Sequence, residues 1–489
     1  MKRLRAYGLV LLFAVYPVLA LYAHNIAELA LAQLLMPLLA SLVLAILVFA
    51  GWRMYTRSNT PAAILTATFL TVFWFYGILH EVFPFFSTGT AHWLLIPLVL
   101  VIYGLVARLI LRTSHAATLN KTSTILLIPV AFLVLYNLLI MLPAEADKYR
   151  TRQAAQQPSP PETPQEVADA GDYPDIFILV FDELASLPSM QEVWQHDHSA
   201  FAESLRDHGF FVAEQSKSRF TNTIRSLPSL MNLDYLDEDL PAASLYQKYD
   251  NNFLMNFLDR AGYEIFFIDG WGSFEYSFGI EDINFYCMYN TDPENQVVMD
   301  PFHYLVLRRS LLSPLAPLFI DDISNLYYRV NKYFLDFITH FPDTLQARQH
   351  PVMLYAHLMT PHLPFVFDRD GNFMENPTNH WEYETIDNET KRALYFEQYL
   401  YISDRIIDMV NNILKEAPRE PVIMLFSDHG VREPSSGVTD PEHAHRVLNA
   451  VYFPGGDYSG LHESTAPVNS LRLMMNRFFS QDYEMLDDF

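Results

Sequence analysis

Four places in this 489-residue chain set ionisable side chains at or near the end of an apolar run, or just ahead of one. DIFILVFD (175–182) ends in Asp182 and continues to Glu183, and PVMLYAHLMTPH (351–362) carries His357 and His362. PVIMLFSDH (421–429) ends in Asp428 and His429, and EHAHR, just ahead of LNAVYF (448–453), carries His443 and His445. A carboxylate is costly to desolvate unless it is paired or bound to a cation. An Asp-His pair offers one oxygen and one nitrogen to a divalent metal. Alone, each residue could be a helix cap or a polar loop residue; their recurrence at successive runs points to one site. Between the first two strand-like runs lies SRFTNTIRSLPSLMN (218–232), with Thr221, Thr223 and a Ser/Leu/Pro stretch able to open a helix at Ser226. A hydroxyl at a helix N-terminus meets the dipole and free amides that favour an oxyanion. Beside a metal it could serve as a nucleophile.

The elements that must position these residues alternate. Continuous apolar runs at 175–182, 264–269, 351–358, 421–428 and 448–453 read as strands, several buried on both faces. Residues 192–209 and 390–416 show apolar side chains at helical spacing. Alternation of this kind predicts an α/β fold with a mainly parallel sheet flanked by helices. In such sheets ligands collect beyond the carboxyl ends of the strands, where the polar residues sit.

The N-terminal third is different in kind. Five apolar stretches, roughly 7–23, 27–50, 61–82, 92–111 and 123–143, are each about long enough to cross a bilayer. Residues 1–143 hold eight Lys/Arg and two acids, a net of +6, whereas 144–489 hold 24 basic and 54 acidic residues, a net of −30. The basic residues cluster before span 1 and in alternate loops, which predicts a cytoplasmic N-terminus and an outward-facing C-terminal part. Residues 144–172, rich in Pro, Gln, Ala and acids, read as a linker with a short helix before Gln157. The expected division is therefore a transmembrane domain at 1–143, a linker at 144–172 and an extracytoplasmic catalytic domain at 173–489. So acidic a domain lacks the basic surface that nucleic acid requires. An anionic substrate would need local positive charge, which a divalent metal supplies. The single cysteine, Cys287, excludes an intrachain disulfide. Aromatics around Trp271 and Phe274–Phe278 could line a lipid-facing mouth or pack in a core.

The ordered set of strand-Asp182-Glu183, T-x-x-S-L-x-S-L at 223–230, TPHLPF at 360–365 and SDHG at 427–430 resembles the sulfatase-like branch of the alkaline phosphatase superfamily. Five spans ahead of it look like the membrane-bound phospho-group transferases, such as lipoteichoic acid synthases and phosphoethanolamine transferases. The resemblance implies a metal held by Asp182, Thr223, Asp428 and His429, with Glu183 as a further ligand. It implies Thr223 as nucleophile, His362 against the transferred group or leaving oxygen, and His443 or His445 as a later contact; His357 is read as further from the chemistry. Manganese or zinc suits the ligand set best, with calcium or magnesium as other candidates. The implied partners are the membrane, a phospholipid or other phosphate-ester donor and an envelope glycan or lipid acceptor, at the inner membrane of a bacterial cell. A sulfuric ester hydrolase and a non-catalytic envelope scaffold are the alternatives. Sulfatases carry a cysteine, converted to formylglycine, where this chain has Thr223, which argues for phospho-group chemistry. The Asp-x-x-x-His motif of two-metal relatives is missing.

Overall fold

The computed structural model describes residues 2–26, 29, 31–82, 92–113, 115–155, 173–270, 280, 282–287, 301–315, 323–378 and 386–489. The chain forms two compact units. One holds residues up to Arg150 together with the later segment 301–315; the other holds the rest of the described chain. The segment 301–315 thus falls with the N-terminal helices, although it lies inside the range expected to form the catalytic domain.

The helical unit contains α1 (Lys2–His24), α2 (Leu35–Thr56), α3 (Asn59–Val82), α4 (His92–Arg112) and α5 (Ala116–Ala155). Each is long and apolar enough to cross a membrane, so the protein is multi-pass by construction. Buried Ala6, Ala14, Ala63 and Ala67 belong to the cluster shared by α1 and α3, where small side chains let two helices approach closely. α5 continues through Pro143 to Ala155, because AEADKYRTRQAA is rich in good helix formers. The remaining linker residues, 156–172, and the aromatic stretch 271–279 lie outside the described residues.

The second unit is built on a seven-stranded sheet of order β2-β7-β6-β1-β5-β3-β4. The strands are β1 (Ile176–Phe181), β2 (Phe211–Val212), β3 (Glu264–Asp269), β4 (Asn284–Cys287), β5 (Val352–Leu358), β6 (Val422–Ser427) and β7 (Asn449–Tyr452). The five strands β6-β1-β5-β3-β4 run parallel, while β7 and β2 add an antiparallel edge, so the sheet is mixed. The helix expected over 192–209 is two helices, Leu187–Trp194 and Ser199–Asp207. Gln195 in the left-handed region ends the first, and the Asp197 carboxylate accepts the Ser199 N–H at the start of the second. The long helix Asn388–Glu416 agrees with its periodicity.

One face of the central strands carries the functional logic. Ile176, Ile178 and Val180 of β1, Met353 and Tyr355 of β5, Ile265 and Phe267 of β3, and Val422, Met424 and Phe426 of β6 form one buried core. Each such side chain contributes about 1.5–3 kcal/mol by leaving water. At the next inward position the pattern changes on all four strands: Asp182, His357, Asp269 and Asp428. The register Val180↔His357, Asp269↔His357 and Val180↔Phe426 makes them neighbours. The helix Thr223–Met231 packs Leu227, Leu230 and Met231 on the same core, which brings its first turn over this ionisable end.

Candidate active site

The helix that carries Thr223 opens three residues earlier than the Ser226 start expected from sequence. Asn222 is its N-cap, accepting the Arg225 N–H at 3.2 Å, so Thr223 is the first helical residue. The Thr223 Oγ1 lies 3.5 Å from Asp182 Oδ2 and 3.4 Å from His429 Nε2. His429 Nε2 is also 3.5 Å from Asp182 Oδ1 and 3.5 Å from Asp428 Oδ2. Nδ1 of His429 donates to the Gly430 carbonyl at 2.9 Å, which leaves Nε2 facing the carboxylates. Asp428 Oδ1 accepts the backbone N–H groups of His429 at 2.8 Å and Glu183 at 3.1 Å, which leaves Oδ2 for the cluster.

His357 joins them, unlike the sequence expectation. Its Nδ1 is 3.0 Å from Asp269 Oδ1, and its Nε2 is 3.7 Å from Asp182 Oδ2. The sequence sets His357 at a strand exit but away from the chemistry, and Asp269 closes the apolar run EIFFID without standing out as a site residue. The parallel register is the signal that finds them.

Asp182 Oδ1, Asp428 Oδ2 and His357 Nε2 are buried with no hydrogen-bond partner. Leaving such atoms unpaired costs about 1–3 kcal/mol each, and more when charged, so their convergence suits a cation. Separations of 3.4–3.7 Å are too long for good hydrogen bonds. They suit ligands about 2.0–2.2 Å from a shared tetrahedral metal, whose edges run about 3.3–3.6 Å. Asp182, His357 and Asp428 each offer a ligand atom within 4.8 Å of the others. The residues therefore fit a divalent cation.

The electrostatics agree. Burial, then the Asp428 charge, pushes the Asp182 carboxyl up to about 7. Burial alone would raise Asp428 too, but the His429 and His357 imidazoles hold it below the usual carboxylate range. Burial would lower His357; the hydrogen bond and charge of Asp269 outweigh it and raise the imidazole. A cation would replace the missing protons and relieve this crowding.

Glu183 is turned elsewhere. Its φ of +59° rotates consecutive carboxylates apart. Its oxygens accept from the Arg432 N–H at 2.9 Å and from the Ser435 hydroxyl. His362 faces it, with Nε2 at 3.6 Å from Glu183 Oε2 and Nδ1 held by the Leu363 carbonyl at 2.7 Å. Burial lowers the His362 pKa. The loop bearing His362 is pinned by Gln398, fully buried, whose amide donates to the Pro361 and His362 carbonyls and accepts the Val366 and Phe367 N–H groups.

The two later histidines point in different directions. His443 bonds Ser189 Oγ at 2.9 Å, with Nε2 3.8 Å from Glu192, and burial lowers its pKa. His445 Nδ1 donates to the Ser218 carbonyl at 2.9 Å, and Ser218 N–H returns a bond to the His445 carbonyl at 2.7 Å, tying this turn to the loop that leads to Thr223. Gly430 lets the turn approach: a Cβ there would lie 2.0 Å from the His443 carbonyl and 2.4 Å from that of Arg446. Cys287, at the end of the edge strand β4, is the register partner of Asp269.

A sulfatase family model matches residues 177–474, more than half of the chain. No curated protein matches the sequence. Among solved structures, the integral membrane lipooligosaccharide phosphoethanolamine transferase A from Neisseria meningitidis is similar at 13% identity and a TM-score of 0.44, over 96% of this chain and 95% of that one. The C-terminal periplasmic domain of EptC from Escherichia coli, in complex with zinc, gives 15%, 0.39, 63% and 84%. A 2-O GAG sulfatase gives 11%, 0.38, 64% and 72%. Identities this low leave substrate and chemistry to be argued from this chain's own residues. The chain belongs to the sulfatase family, in the sulfatase-like branch of the alkaline phosphatase superfamily, and is an enzyme of that kind carried behind five membrane-length helices.

Proposed function

We propose that this protein is a metal-dependent transferase or hydrolase of phosphate esters that works through Thr223. The observation that carries the reading is the Thr223 hydroxyl at the first position of a helix, within 3.5 Å of both Asp182 and His429. A divalent cation held by Asp182, Thr223, Asp428 and His429, with His357 as a further ligand, would lower the hydroxyl pKa and neutralise charge on the phosphoryl oxygens. Manganese and zinc suit this mixed oxygen and nitrogen set better than calcium or magnesium.

Thr223, its hydroxyl proton already released to solvent, attacks phosphorus in line through Oγ1, the ester bond to the leaving oxygen breaks, and the group rests on the threonine until the acceptor displaces it. His362 gives a proton to the departing oxygen and takes one from the acceptor hydroxyl, or water, in the second half-reaction. The Leu363 carbonyl keeps its Nδ1–H fixed, so only Nε2 exchanges protons. Arg432, whose Nε lacks a hydrogen-bond partner and whose charge reaches His362, is suited to the anionic group.

The membrane-length helices favour a lipid- or glycan-borne substrate in the bacterial envelope, with phosphoethanolamine- or phosphoglycerol-type transfer as the group chemistry. Basic residues at alternate helix connections support an inner-membrane protein whose catalytic unit faces outward. The competing reading, sulfate-ester hydrolysis, is separated by matched esters of one alcohol. The phosphate diester should turn over and the sulfate should not; faster sulfate hydrolysis would reverse the assignment.

A further inference from the structure

The segment 301–315 interrupts the catalytic part of the sequence yet is built into the helical unit. Its helix, Pro301–Arg309, buries Phe302 to 1% exposure in the cluster formed by α1, α2 and α3, edge-on to Tyr22 at 5.9 Å. Beyond that helix, Leu311 packs against Tyr76, Leu95 and Val99 of α3 and α4. The approach to α3 is made at backbone distance: a Cβ on Gly77 would meet the Arg308 carbonyl at 2.3 Å and Arg309 Cα at 2.6 Å. The Leu311 N–H donates to the Phe73 carbonyl at 2.7 Å. Gly77 and Phe73 lie about 7 and 13 Å along the axis from the end of α3 at Val82, at 1.5 Å per residue. Even with the 24-residue α3 overhanging a hydrocarbon core about 30 Å thick by about 3 Å at each end, both fall inside it.

Two further observations say what surrounds the tip. Leu312 and Leu315 are 43% and 40% exposed; after residue 300 the only other exposed large apolar side chains among the described residues are Met485 and Phe489 at the C-terminal end. The tip also closes its own hydrogen bonding. Ser310 N–H donates to Leu307, Ser313 N–H to Ser310 and Leu315 N–H to Leu312, and the Leu312 N–H is taken by Ser310 Oγ at 3.1 Å. Position 314 is proline and has no N–H. Every backbone donor from 310 to 315 is therefore satisfied without water, as a segment in lipid requires.

We propose that residues 301–315 form a re-entrant element of the membrane domain, with Leu312 and Leu315 inserted among the acyl chains of the leaflet at the His24, Val82 and His92 ends of the helices. This rests on the helices spanning a bilayer and is independent of the chemistry assigned to Thr223. The test uses the full chain in phospholipid nanodiscs, with Cys287→Ala as background and single cysteines carrying a bimane fluorophore. Leu312→Cys and Leu315→Cys should be quenched by nitroxide lipids as strongly as Leu105→Cys in α4. They should be several-fold less quenched by aqueous iodide than Glu238→Cys. Iodide access equal to that at position 238, with no lipid quenching, would overturn the proposal. Adding Gly77→Leu should raise iodide quenching at 315 several-fold while the probe at 105 stays lipid-quenched; no change at 315 would contradict the seating on α3.

Discussion

The Asp269 carboxylate holds Nδ1 of His357 at 3.0 Å, and this bond aims the other imidazole nitrogen at Asp182. Carboxylate, imidazole and cation commonly form such a chain, the carboxylate fixing the tautomer and raising the basicity of the ligand. Asp269→Asn keeps the shape but removes the charge. It should weaken zinc or manganese binding by about 10–100-fold, read by competition with a chelating dye. Unchanged affinity would remove His357 from the site.

Metal affinity should depend on pH through Asp182. Its carboxyl, raised to about 7 chiefly by burial, must lose its proton before it can act as a ligand. Below that value protons compete with the cation; above it they do not. Apparent affinity should therefore rise about tenfold between pH 6 and 8, with proton release on binding seen as a buffer-dependent heat in calorimetry. A flat profile would contradict the assignment of Asp182.

Much of this arrangement is legible in the sequence, and the exceptions have physical causes. β1, β3, β5 and β6 announce themselves because strands buried on both faces are continuous apolar runs. β2, two residues long, and β4, a four-residue edge strand, lie in runs too short to mark a strand. The apolar run of β7 says nothing of its direction, and the antiparallel edge appears only in the pairing. Asp182, Thr223, Asp428 and His429 are recognisable by order and spacing. His357 is visible at a strand end, but its place in the cluster is not, because that depends on which strands are neighbours. Glu183 looks like a second ligand until its backbone turns it toward Arg432 and Ser435.

Gly430 should tolerate no side chain. Gly430→Ala sets a Cβ against two carbonyls that belong to backbone and cannot rotate away. Strain of this kind costs about 1–3 kcal/mol or more, so the melting temperature should fall by several degrees. A wild-type melting curve would show that the turn at 441–446 is free to move.

His362→Gln should separate leaving groups. With a good leaving group such as nitrophenolate no proton is needed at departure, so the first half-reaction should be nearly unaffected. With an alkyl alcohol it should slow by about 10²–10⁴-fold, the usual range for general acid catalysis. Equal losses on both substrates, measured by single-turnover kinetics, would assign His362 a binding role instead.

The most direct test is peptide mass spectrometry of the full-length protein, loaded with zinc or manganese and acid-quenched during turnover of a phosphodiester. A covalent mass increment equal to the transferred group should appear on Thr223 and be absent from Thr223→Ala, whose kcat should be lower by about 10³-fold or more. An adduct on another residue, or a Thr223→Ala protein that turns over at the wild-type rate, would contradict the account.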